Sequence, residues 1–221
     1  MFDSLLSAIA PHLCCSCGKT GAVLCDNCKY DISLEYFEGC LACGSPAAVR
    51  GVCKICITPY SRAWCVGERS GVLRDVIDGY KFYNNYAAHR DLASLLSGCI
   101  GVLPPECVIV PVPTVSSHIR QRGYDHTLLL AKRLAKLQDV AAKSLLRRKT
   151  SSTQRGQGRK KRLSQARKAF GAKGKLDQDM IYLLVDDVVT TGSTLFYAAQ
   201  ALRDAGAGDV WVAAIARQPL D

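Results

Sequence analysis

Residues 183–195 read LLVDDVVTTGSTL: an apolar run, adjacent carboxylates at Asp186 and Asp187, then small hydroxylated residues around Gly192. The two halves suit different chemistry. Thr190, Thr191, Ser193 and Thr194 offer hydroxyl donors without bulk, and Gly192 lets a ligand approach the backbone. The spacing of Leu195, Ala198, Ala199 and Leu202 predicts a helix starting near Ser193 or Thr194, whose first N–H groups lack partners and whose dipole end is positive. Such an end cradles a phosphate. It is not a Walker A loop, because no Lys follows the glycine, nor a Gly-x-Gly-x-x-Gly turn. Carboxylates beside an anion site need partners of their own. The vicinal hydroxyls of a ribose serve, since a carboxylate accepts from them and they can also ligate Mg2+. Pair and loop together therefore predict a grip on a ribose 5-phosphate. The bland alternative is an acidic strand end beside an ordinary hydroxyl cap.

A second constellation is metallic in character. Eight cysteines form four Cys-x-x-Cys pairs, Cys14 and Cys17, Cys25 and Cys28, Cys40 and Cys43, Cys53 and Cys56, separated by 7, 11 and 9 residues. This spacing predicts two tetrahedral thiolate zinc sites. Redox-active dithiols are the main competitor, but no pair opens a helix after a strand. Sequential pairing gives the simplest ribbons, and an interleaved cross-brace stays open. Cys15, Cys65, Cys99 and Cys107 are left over as small apolar packing residues. About 50 residues bury too little apolar surface to fold alone, so zinc would supply folding free energy rather than chemistry.

The elements that must position these groups are legible in outline. Ala63–Glu68, residues 107–113 (CVIVPVP), 180–185 (MIYLLV) and 210–216 (VWVAAIA) read as strands. Arg74–Tyr80, Ala87–Cys99, residues 126–138 (HTLLLAKRLAKLQ) and 194–207 read as helices, and GAGDVW at 206–211 as a turn. Apolar strands alternating with helices predict an α/β fold, a mostly parallel sheet flanked by helices. Residues 1–60 are expected to form a short helix and a double zinc ribbon with four cysteines at each metal, and residues 61–221 the α/β domain. At 221 residues, with 48% hydrophobic and 22% charged, the composition is that of a folded protein. The N-terminal stretch lacks a basic n-region and carries Asp3, and no segment reaches the roughly 20 apolar residues of a membrane span. The expectation is a soluble cytoplasmic protein without membrane insertion.

Net charge is +10, yet residues 140–176 hold thirteen Lys and Arg and no acid, which leaves the rest slightly acidic. Residues 147–168 are expected to be a mobile loop over the cleft with a helical second half. Arg147, Arg148, Arg155, Arg159, Lys160, Lys161 and Arg162 could follow a nucleic-acid backbone, close over a phosphorylated ligand, or simply be solvated. Aromatic partners are almost absent from that run, so any contact with a single strand would be electrostatic.

LLVDDVVTTGSTL resembles the 5-phosphoribosyl 1-diphosphate (PRPP) loop of type I phosphoribosyltransferases. The segments GVLRDVIDGYKF (71–82), VPVP with RQRGYDHTLLLAKRLA (110–135), and Thr153, Gln154, Arg162, Ala169 and Phe170 narrow the resemblance to the ComF family of phosphoribosyltransferase-like proteins, over nearly the whole chain. Most members read Arg-Gly-Phe-Asn-Gln where this chain has Arg122-Gly123-Tyr124-Asp125-His126, and Gln165 or a neighbour replaces a later Asn. The resemblance implies the type I phosphoribosyltransferase fold. It implies that Asp186 and Asp187 hold the ribose hydroxyls, with Val188, Thr190, Thr191, Gly192, Ser193 and Thr194 around the 5-phosphate. The turn at Pro111 and Pro113 is implied as the pyrophosphate loop, with Thr114, Arg120 and Arg122 nearby, and Lys81 near the active cleft. Asp125 and His126 are the nearest candidates for a general base, and both depart from the family pattern.

Three functions follow. One is Mg2+-dependent phosphoribosyl transfer from PRPP to a nucleobase or other small acceptor. A second, implied by the ComF resemblance, is handling of single-stranded DNA in natural transformation, with other DNA-uptake proteins as further partners. The third is PRPP sensing without catalysis.

Overall fold

The computed structural model describes residues 11–47, 51–149 and 169–219. Five parallel strands form the main sheet: β1 (Arg62–Glu68), β2 (Cys107–Pro111), β3 (Ala141–Ala142), β6 (Ile181–Val189) and β7 (Asp209–Arg217), in the order β1-β7-β6-β2-β3. Helices cover both faces, which is why β2, β6 and β7 read as continuous apolar runs rather than alternating ones. One face carries α2 (Gly71–Phe82), α3 (Ala88–Ile100) and α5 (His126–Gln138), the other α6 (Ser193–Asp204) and an antiparallel hairpin of β4 (Leu146–Arg148) and β5 (Phe170–Ala172). Leu92, Leu96, Leu130 and Leu134 fill the first layer, Leu195, Ala198 and Leu202 the second.

The chain leaves β2 for β3 through α5 on one face, and leaves β6 for β7 through α6 on the other. Neighbouring strands β2 and β6 thus send their connections in opposite directions. A crevice opens between them at their carboxyl ends, the place where open α/β sheets bind ligands.

Two boundaries differ from expectation with consequences. The sixth strand does not stop at Val185: it runs to Val189, because β7 continues beside it with Asp186 opposite Ala214 and Val189 opposite Arg217. On its other side pairing ends at Pro111 opposite Val185, where the prolines of PVP cannot donate to the ladder. Asp186 and Asp187 therefore sit where β6 outruns β2. In the basic run, Arg147 and Arg148 are not loop residues but strand, opposite Gly171 and Phe170. Arg155, Arg159, Lys160, Lys161 and Arg162 lie outside the described residues, as does the expected N-terminal helix.

Besides the short strands β3, β4 and β5, two described helices were not expected from the sequence. A short helix, α4 (Ser116–Arg122), follows the proline turn and ends at Gly123, whose φ of 80° suits a residue without Cβ. Between the cysteine clusters, α1 (Asp26–Ser33) contributes Cys28. Of the leftover cysteines, Cys65 and Cys107 are buried as expected and Cys99 partly so, but Cys15 is exposed.

Candidate functional site

The pleat separates the adjacent carboxylates. Side chains alternate across a strand, so Asp187 follows Leu183 and Val185 toward the α2/α5 face while Asp186 follows Tyr182 and Leu184 toward the α6 face. They straddle the end of the sheet and see different charges. Asp187 is 4% exposed, and its Oδ2 lies 2.6 Å from His126 Nε2 and 2.9 Å from Lys81 Nζ. Neither approach is aligned as a good hydrogen bond, which leaves Oδ2 open to a better donor. Burial works to raise the Asp187 carboxyl, but the pairing with His126 and Lys81 outweighs it and holds the group well below the usual carboxylate range. Among the described residues Asp186 makes no ion pair: it accepts from Asp187 N at 2.9 Å, and the charge of Lys81 acts on it more weakly than burial does. Burial first, and then the negative charge of Asp187, push it up to about 8, so it holds a proton at neutrality until a cation or another donor enters.

Both acids line a cleft of about 620 Å3. Lys81 reaches it from the last turn of α2, Pro113, Thr114 and Val115 from the turn after β2, and Arg122 from the end of α4. Val188 and Thr194 represent the hydroxyl-rich loop, and Arg148 comes from β4 on the far side. Gly192, with φ of 72°, directly precedes Ser193 at the start of α6. Thr190, Thr191 and Ser193 are exposed on the same loop, with Thr191 Oγ1 and Ser193 Oγ 2.9 Å apart. Arg120 is exposed and absent from the cleft lining, whereas Arg122 is half-buried within it. Helical geometry explains this, since residues two apart point to different sides of α4.

His126 and Asp125 play separate parts. Asp125 caps α5: its Oδ1 accepts from Leu128 N at 3.1 Å, Thr127 Oγ1 at 3.0 Å and Thr114 Oγ1 at 2.9 Å. A carboxylate oxygen serving three donors ties the proline turn to the helix, and is poorly placed to act as a base. His126 instead enters the cleft between Arg122 and Asp187. No spacing announces this contact, because Arg122 and His126 belong to different helices brought together by the Gly123 turn. Phe82 and Asn84 of the cleft lining were likewise not singled out in the sequence.

The cysteines pair sequentially. Sγ atoms of Cys14, Cys17, Cys25 and Cys28 lie within 4.8 Å of one another, as do those of Cys40, Cys43, Cys53 and Cys56. Sulfurs about 2.3 Å from a tetrahedral zinc are about 3.8 Å apart. Cys17 to Cys25 is 3.6 Å and Cys43 to Cys53 is 3.7 Å, so both sets fit a structural Zn2+. Crowding splits the thiols of the second set: a hydrogen bond with Ser45 lowers Cys43 to about 6, while Cys43 and Cys53 push Cys56 up to about 12. A dication removes that conflict by favouring all four thiolates.

The clusters brace different parts of the domain. Around the first, Leu24 N donates to Asp91 Oδ2 of α3 at 3.0 Å, and Lys29 pairs with the same carboxylate at 3.3 Å. The turn of the second, Leu41–Ala42, lies against the hydroxyl-rich loop: a Cβ on Gly192 would sit 3.3 Å from Ala42 Cα and Leu41 O. Beside it, buried Arg217 at the end of β7 reaches toward Leu41 O at 3.5 Å and lies over Phe37.

The parallel sheet with its crevice at β2 and β6, led by two four-cysteine clusters that fit zinc, is a doubly wound α/β fold with an N-terminal metal-binding region. No family model matches the chain. It is 32% identical over 212 residues to competence protein F of Haemophilus influenzae, covering 88% of this chain and 90% of that one. Competence protein ComFC of Bacillus subtilis is 24% identical over 85% of this chain and 81% of its own, and DNA utilization protein YhgH of Salmonella typhimurium 30% over 80% and 83%. The chain belongs to the ComF family. Among solved structures, an allosteric regulatory enzyme of purine biosynthesis matches at TM-score 0.43 and 19% identity over 58% of this chain, which spans about a quarter (26%) of that enzyme. Among the described residues, no helix is long and apolar enough to cross a membrane.

Proposed function

We propose that this chain binds PRPP with Mg2+ in the crevice cleft and handles single-stranded DNA during uptake, alongside other DNA-uptake proteins, in the cytoplasm. In this reading residues 1–60 form the zinc-ribbon module and residues 61–221 the PRPP-binding domain. One observation carries the ligand assignment: two adjacent carboxylates, where β6 outruns β2, stand beside a hydroxyl-rich loop at a helix start. Asp186 and Asp187 would take the ribose hydroxyls or the metal, and residues 190–194 the 5-phosphate. Lys81 and Arg122 supply positive charge toward a diphosphate. The relatives' names, competence and DNA utilization, favour the DNA role.

Calorimetry tests the ligand. Asp186→Asn together with Asp187→Asn should abolish PRPP affinity, and unchanged affinity would sink the assignment. His126 favours a second reading, phosphoribosyl transfer. That reaction breaks the C1–diphosphate bond, joins C1 to an acceptor, and removes the acceptor's proton, which His126 takes at Nδ1 once Arg122 turns from that lone pair to the diphosphate. The lysine and arginine would then stabilise departing diphosphate. Diphosphate release from PRPP and Mg2+ with candidate acceptors, or its absence with all of them, separates transfer from sensing.

A further inference from the structure

At the mouth of the cleft, where α2 ends, Phe82 is 60% exposed, Tyr83 79% and Tyr86 40%. Phe82 and Tyr83, two large rings in succession, gain the fold little there. Their backbone is nevertheless held firmly. Tyr80, fully buried, donates to His126 O at 2.7 Å, and Tyr124 donates to Tyr80 O. Tyr80, Tyr124 and Tyr86 form a ladder of rings with centroids 5.7 and 5.4 Å apart. The last turn of α2 is thus pinned to the Gly123 turn, and the rings beyond it stand on a rigid base.

Cations flank the rings. Arg122 lies 5.5 Å from the centroid of Phe82, and Arg148 lines the opposite wall of the cleft. An arginine behind an aromatic ring in front of open solvent suits a planar ligand stacked on the other side, with its phosphates facing cations.

We infer that Phe82 and Tyr83 form a stacking platform for successive bases of a single-stranded nucleic acid, whose phosphates run past Arg122 and Arg148. A single strand fits better than a free base. A pocket for a small planar molecule encloses it with convergent polar groups, whereas these rings stand in the open, consecutive in sequence, and could take more than one base. The platform supplies the aromatic contacts that the basic run lacks. It rests on the single-strand reading above, and gives that reading a location.

The test is fluorescence anisotropy with a labelled oligothymidylate and an abasic oligomer of equal length. The full-length protein should prefer the oligothymidylate, and Phe82→Ala with Tyr83→Ala should remove the preference, with roughly tenfold loss per ring, while the salt dependence shared by both oligomers persists. If the double variant keeps the preference, or if the unaltered protein binds both oligomers equally, the platform is overturned and the single-strand reading stands. If neither oligomer binds, the single-strand reading itself fails. Free thymine or adenine displacing the oligomer would make the rings a small-molecule site and overturn the proposal. Photocrosslinking the unaltered protein to an oligomer carrying 5-iododeoxyuridine needs no variant: adducts on Phe82 or Tyr83 are expected, and adducts confined to other segments count against it.

Discussion

His126 bridges Asp187 and Arg122, with Nε2 2.6 Å from the carboxylate and Nδ1 2.9 Å from the guanidinium. A guanidinium only donates, so Nδ1 must present its lone pair, and the ring proton faces Asp187. An imidazole in that tautomer turns its N–H toward one partner and its lone pair toward the other. A glutamine amide offers the same two functions. His126→Gln should hold PRPP affinity within about threefold, while His126→Leu, leaving both charges without this partner, should lower it by about ten- to a hundredfold. Calorimetric titration of both variants checks this.

Asp186 makes the free site less stable as pH rises. Its folded pKa of about 8 exceeds the ordinary 3.8, so between those values the folded state holds a proton that the unfolded state has lost. Stability from this group is present below about pH 4, falls across that window, and stays lost above about 8. Asp187, held low, works the other way and loses its contribution only in acid. Asp186→Asn should therefore raise Tm at pH 8 by a few degrees and have little effect at pH 4, while weakening PRPP binding. Thermal scans across pH measure it.

The same proton predicts a linkage to ligand. A cation or Mg2+·PRPP drawn to the acidic pair should expel the Asp186 proton at pH 7. Binding enthalpies measured in buffers of different ionisation enthalpy should show release of close to one proton per PRPP, and none in Asp186→Asn.

Gly192 is constrained twice, by its φ of 72° and by backbone of the second cysteine cluster 3.3 Å from where a Cβ would stand. Gly192→Ala should cost about 1–2 kcal/mol of stability from the left-handed conformation alone. It should also weaken binding of ribose 5-phosphate, because the loop must shift from Leu41 and Ala42. Chemical denaturation and phosphate-ligand titration would show both.

Metal removal should be asymmetric. Cys53→Ser, which breaks the cluster behind the phosphate loop, should lower PRPP affinity more than Cys17→Ser, whose cluster rests on Asp91 of α3. Zinc content should fall by about one ion per chain in each variant. Equal affinities in the two would remove the distinction between the clusters.

The sequence alone determined the chemistry of each segment, because periodicity, proline and cysteine spacing act locally. Residues 126–138 form the helix their spacing predicts, the Cys-x-x-Cys pairs carry their own geometry, and LLVDDVVTTGSTL declares a strand, an acid pair and a helix start. Only the tertiary structure decided which charges meet. Strand β6 runs past its acids because β7 happens to extend beside it, and the pleat then sends Asp186 and Asp187 to different faces. Contacts such as His126 with Asp187, or Gly192 with Ala42, join segments far apart in the chain, and no local pattern encodes them. They arise from crossovers and packing, which are set by the whole sheet at once.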